Sequence, residues 1–144
     1  MEVIKSIHSY WSYLVLIFLV LAVANAIMGL SSKKEFSNKD LRLGLFTLIF
    51  SHIQLLIGLA LYFGNGYASR ISGDTMKDGD LRFVIIEHPS IMILAIVLIT
   101  VGWSKHKKKT DDKAKFKTFA IFYGIALLLV LTRIPWHLWP SFLH

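Results

Sequence analysis

The sequence predicts an all-α fold, an integral membrane up-down four-helix bundle, and three observations carry that prediction. Of 144 residues, 55% are hydrophobic and the mean hydropathy is +0.58, an apolar excess beyond what a water-soluble unit of this length buries. That excess is gathered into four long stretches, Val3 to Leu30, Leu41 to Gly64, Leu81 to Ser104 and Phe116 to Leu138. A helix rising about 1.5 Å per residue needs about twenty residues to cross a hydrocarbon layer of about 30 Å. None of the stretches alternates strictly, and all exceed the roughly 9–11 residues of a membrane-barrel strand. A chain of this length has room for one folding unit, so 1–144 reads as a single membrane domain. The absence of cysteine excludes a disulfide scaffold, an Fe–S protein and a thiolate zinc site, and the apolar composition excludes a disordered tail.

The first span, 3–30, carries small residues at Ala22, Ala24 and Ala26 in a cleavage-like arrangement. It reads as a retained helix because the apolar run is too long for a signal core and Lys33-Lys34 follow as a stop-transfer flank. The second, 41–64, repeats small residues every seven positions at Gly44, Ser51 and Gly58, a pattern that lets helices approach closely. The third, 81–104, and the fourth, 116–138, are joined by a short polar link, and Gly124 and Ala126 give the fourth its own small-residue face. Short links make neighbours antiparallel, which yields the up-down topology.

Charge sets the orientation. Lys33, Lys34, Lys39 and Arg42 flank the first connection, and Lys105, Lys107, Lys108, Lys109, Lys113, Lys115 and Lys117 fill the third. By the positive-inside rule that face is cytoplasmic, which predicts a bacterial inner membrane protein with both termini and the 65–80 loop in the periplasm. The loop itself balances Arg70, Lys77 and Arg82 against Asp74, Asp78 and Asp80. Topology also explains the lysine run 105–109 and the net charge of +7. No nucleic-acid partner is implied, since no aromatic residue interleaves that run for base stacking.

Ionisable groups inside the spans are the chemically informative ones, because such a group is costly in hydrocarbon, at least about 2.5 kcal/mol for Arg or Asp at a helix centre, and persists where it faces the bundle interior with a partner. They are His8, His52, Glu87, His88, Arg133 and His137. Arg133 stands 16 residues from Lys117 and Glu87 stands 18 from Lys105, so both lie about 24–27 Å above the basic face by helical rise. This predicts a compensating Glu87–Arg133 pair, with further Arg133 donors available to an anionic group.

Four spans thus contribute one histidine each. Imidazole suits haem iron, zinc and copper. Met28, Met76 and Met92 are scattered, which disfavours a soft copper site, and no His-Glu-x-x-His or similarly close set supports a zinc hydrolase. Haem b needs only one or two histidines between helices with apolar walls. His8 and His88 lie on helices of the same direction, diagonal in a simple ring, and are the preferred axial pair. A haem between them would have its propionates near Arg133 or Arg82. His52 lies lower, as a second ligand site, a quinone contact or a partner of Gln54 and Ser51.

Several segments resemble a family of small bacterial four-helix membrane proteins commonly labelled cytochrome-b-like: His8-Ser9, the helix from Arg42 through His52 to Gly58, Leu81-Arg82-Phe83 with Glu87-His88-Pro89, and Ile134-Pro135-Trp136. The resemblance runs along nearly the whole chain and implies haem b and respiratory electron transfer. Its histidines correspond to His8, His52 and His88; His137 is less typical. Family members usually continue from the first histidine as His-Ser-Gly-Leu-Arg, whereas Tyr10, Trp11, Ser12 and Tyr13 follow Ser9 here, removing a cation from the expected haem edge. The expected function is membrane electron transfer with haem b, a quinone and a redox partner on the outer face, alone or as a homodimer. Two alternatives stand beside it: a non-catalytic subunit or assembly partner of a larger complex, and proton or metal transport along His8, His88, Glu87 and His52.

Overall fold

A computed structural model of the chain describes residues 1–137 and Trp139. α1 spans Glu2–Ser32 and α2 spans Asn38–Gly64. The long connection holds a 3-10 turn at Tyr67–Arg70 and two short helices, α3 (Gly73–Lys77) and α4 (Gly79–Arg82). A π-helical turn, Phe83–Glu87, then leads into α5 (His88–Lys107), and α6 spans Asp112–Arg133. No strand occurs among the described residues. Four helical stretches are long and apolar enough to cross a membrane, Gly79–Lys107 counting as one. The chain is a multi-pass helical membrane protein, and its outward apolar side chains, Val3, Leu56 and Leu128 among them, are exposed where lipid covers them.

The long helices follow one another around a ring in the order α1, α2, α5, α6, with α6 closing on α1, so α1 and α5 are diagonal. Each turns one narrow seam inward. On α1 the seam is Leu19, Ala22, Ala26 and Gly29; on α2 it is Asp40, Gly44, Thr47 and Ser51. On α5 it is Ala95, Ile99, Gly102 and His106, and on α6 Phe116, Phe119, Tyr123 and Ala126. Steps of three and four in every case are the spacing of coiled-coil packing. Large rings on α6 face small residues elsewhere: a Cβ on Gly44 would stand 2.6 Å from the Phe119 ring. Polar ties fix the register. Tyr123 donates to the Gly44 carbonyl at 2.9 Å, Thr47 to the Phe18 carbonyl at 3.2 Å, and Trp11 to the Phe50 carbonyl at 2.9 Å.

The start of α2 is a capping box, in which Ser37 and Asp40 satisfy each other's ends of the first turn. The same Asp40 carboxylate, only 3% exposed, accepts from Asn25 of α1 at 2.8 Å and sits 3.1 Å from Lys34 Nζ. One side chain therefore caps α2 and ties it to α1.

Two prolines make the boundaries differ from those expected. The fourth span was expected to reach Leu138, which lies outside the described residues, but α6 ends at Arg133. Pro135 forces its predecessor out of the helical region, and Ile134 is extended at φ −70°, ψ 133°. In the third span, Pro89 has no N–H to give the Ile85 carbonyl and its ring crowds that oxygen. The chain responds with the wider π turn, closed by the His88 N–H on the Phe83 carbonyl, and Tyr62 of α2 donates its hydroxyl to the freed Ile85 oxygen at 2.9 Å. At the basic end the helices run past the apolar limits, to Ser32 and Lys107 and from Asn38 and Asp112, because the backbone stays self-satisfied beyond the hydrocarbon edge.

Candidate functional site

The site lies at the end of the bundle opposite the lysine-rich links, where α1, the π turn, α5 and the end of α6 converge. Its geometry begins with the unfinished end of α6. A helix leaves its last four carbonyls without partners, and here each finds one. Val130 O receives the Ile134 N–H at 3.1 Å, Leu131 O the Trp136 indole at 3.0 Å, and Thr132 O the Arg133 guanidinium at 3.0 Å. The fourth, Arg133 O, lies 2.7 Å from His88 Nδ1. A carbonyl only accepts, so Nδ1 carries the proton and the neutral ring keeps its lone pair on Nε2.

His8 faces this imidazole from α1. The ring centres are 6.3 Å apart and the planes cross at 85°. His8 Nδ1 is buried and has no hydrogen-bond partner, although the backbone carbonyl of the same residue accepts from Gln54 of α2 at 2.8 Å. Gly58 of α2 gives the ring its space, since a Cβ there would stand 3.3 Å from His8 Cε1.

Charge surrounds the pair. Glu87 accepts from Arg82 Nε at 2.8 Å, and its other oxygen lies 3.5 Å from Arg133 Nε, so the predicted Glu87–Arg133 partnership is an ion pair without a hydrogen bond. Arg82 also donates to the Met76 carbonyl at 2.9 Å, tying the outer connection to the site. Two guanidiniums against one carboxylate leave a positive excess, suited to an anionic group. Phe83 touches the rings of both His88 and His137, at 6.3 and 6.2 Å between centres. Trp139 closes the α1 side, with its indole 3.3 Å from the Ser9 carbonyl and its ring 4.6 Å from Tyr13.

His8, His88, Glu87 and Arg133 are thus brought together. His137 lies beyond the end of α6 in a turn and is exposed. His52 stands apart, its Nδ1 donating to Leu48 O at 2.8 Å and its Nε2 3.2 Å from the Thr100 hydroxyl of α5. The expected partners of His52 are elsewhere: Gln54 reaches His8, and Ser51 donates to Leu48 O.

Among the described residues no cluster of three or more His, Asp or Glu side chains could hold a metal ion. What the site offers is two imidazoles. The imidazoles of His8 and His88 and the guanidiniums of Arg82 and Arg133 are donors of the kind that would hold a haem and its carboxylates.

The chain matches no protein-family model, no curated protein and no solved structure. Sequence reasoning overlooked His106, which is 2% exposed at the basic end among Phe36, Trp103 and Phe119 and bonds Trp103 O at 2.6 Å. It also overlooked Asp40 and Tyr62. The seam spacing from Ala95 to His106, and from Asp40 to Ser51, was the available signal.

Proposed function

We propose that this chain is a haem b protein of a bacterial inner membrane, passing electrons between a quinone and a partner on the outer face, in which His8 and His88 would hold the haem. The observation that carries this reading is the His88 imidazole, oriented by a backbone carbonyl through Nδ1, facing a second imidazole whose buried nitrogen has no partner, at ring spacing of 6.3 Å. Metal-ligating histidines commonly give their other N–H to a carbonyl or carboxylate, which fixes the ring and raises ligand basicity. Bound haem supplies a one-electron Fe(III)/Fe(II) couple.

The protein's own part is orientation and electrostatics. The helix end holds His88, Gly58 leaves room for His8, and the positive excess of Arg82 and Arg133 over Glu87 would favour the reduced, less positive state of a bound haem and attract its carboxylates. The resemblance to the cytochrome-b-like family points the same way. Lysines on the opposite face support a periplasmic location for this site, within reach of an outer partner, and a homodimer would place two such sites in one assembly.

Optical and pyridine-haemochrome spectra of the purified chain, expressed with ample haem, test the proposal. A Soret band is expected, lost or shifted in His8→Ala and His88→Ala and retained in His52→Ala. Colourless wild-type protein under those conditions refutes it.

A further inference from the structure

We propose that Pro135 is a positioning residue: by ending α6 it leaves the Arg133 carbonyl unclaimed, and that carbonyl holds His88 as the Nδ1–H tautomer, keeping the Nε2 lone pair for a ligand. Were α6 to continue, the backbone N–H of residue 137 would take the Arg133 oxygen in the next i to i−4 bond. Pro135 prevents this, because Ile134 is driven to extended geometry. The other three terminal carbonyls are satisfied within the same segment, by Ile134, Trp136 and Arg133 itself. Only the last is satisfied across the bundle, by His88 of α5 at 2.7 Å. A carbonyl shielded from water is costly to leave without a donor, so turning the ring away from Arg133 O carries a penalty, and the tautomer is set before any ligand arrives.

The tautomer assignment stands on the hydrogen bond alone; its bearing on iron ligation rests on the proposed haem reading. The test therefore uses the haem-free chain. Nitrogen-15 NMR of histidine-labelled protein in detergent micelles, with His88→Gln to assign the signal, reports which ring nitrogen carries the proton. For wild type the expected result is a protonated Nδ1 and a bare Nε2 at pH values where the ring is neutral. For Pro135→Ala the His88 signals are expected to move towards the Nε2–H tautomer or an average of the two, while those of His52 and His106, which bond carbonyls of their own helices, stay in place. A wild-type His88 with Nε2–H, or a Pro135→Ala chain with unchanged His88 signals, overturns the proposal. If Pro135→Ala does not fold, the wild-type tautomer decides. Haem binding is scored separately by the Soret band: an Nδ1–H tautomer in a chain that never takes up haem leaves the positioning intact and removes the haem reading alone.

Discussion

Gly44→Ala tests whether the bundle is held by close approach of a ring to bare backbone. The added Cβ would stand 2.6 and 2.7 Å from Phe119 Cε1 and Cζ, whereas carbon atoms rest at about 3.5–4.0 Å, so the ring or the helix must give by about 1 Å. Phe119 has little room to retreat, the cavity it shares with Gly44 measuring about 10 Å³. It is 4% exposed, stacked on Phe36 at 5.8 Å and hemmed by His106 at 4.5 Å and Tyr123 at 4.9 Å. The carbonyl of Gly44 is also the acceptor for the buried Tyr123 hydroxyl. Overpacking of this kind costs about 1–3 kcal/mol, and the better helix propensity of alanine returns at most about 1 kcal/mol. Taking the upper part of that range for a trapped ring leaves a net destabilisation of about 1–2 kcal/mol. Gly124→Ala is the control, because its nearest neighbour, Val23 Cγ1, would be at 4.0 Å; there only the propensity gain applies. Reversible unfolding in mixed SDS micelles, followed by tryptophan fluorescence, measures both. Opposite signs are expected, and a Gly44→Ala chain as stable as wild type would refute the packing argument.

Tyr62→Phe leaves the Ile85 oxygen without its donor and without the N–H that Pro89 lacks, so the same assay is expected to register a loss of about 1–3 kcal/mol. Asp40→Ala removes a capping box and the acceptor for Asn25; about 2 kcal/mol is expected to disappear, with little from exposed Lys34, and an unchanged midpoint would mean that α1 and α2 do not depend on this tie.

The four spans were legible because lipid leaves the backbone few options: about twenty apolar residues in a row must be a helix, whichever side chains they carry. Heights counted from the lysine flank also brought Glu87 near Arg133, since all crossings share one membrane; His8 was placed further out than His88 and was paired with it through the shared direction of their helices. What escaped notice was local. Pro135 shortens α6 and Pro89 opens a π turn, and both effects reach the site through carbonyls rather than side chains, which hydropathy does not register. His106 was hidden by the lysines around it, although it continues the seam of Ala95, Ile99 and Gly102. His52, placed near mid-span, stood open as a second ligand site, a quinone contact or a partner of Gln54 and Ser51; only the three-dimensional neighbourhood reveals that Leu48 and Thr100 meet its two nitrogens.

Arg133 grips its surroundings through its charged head, on Glu87 and on the Thr132 carbonyl, and through its main-chain oxygen on His88. The main-chain grip does not depend on which amino acid occupies the position. Alanine scanning at 133 would report the loss of the guanidinium's contacts alone, while the imidazole stayed anchored, provided the helix still broke two residues later.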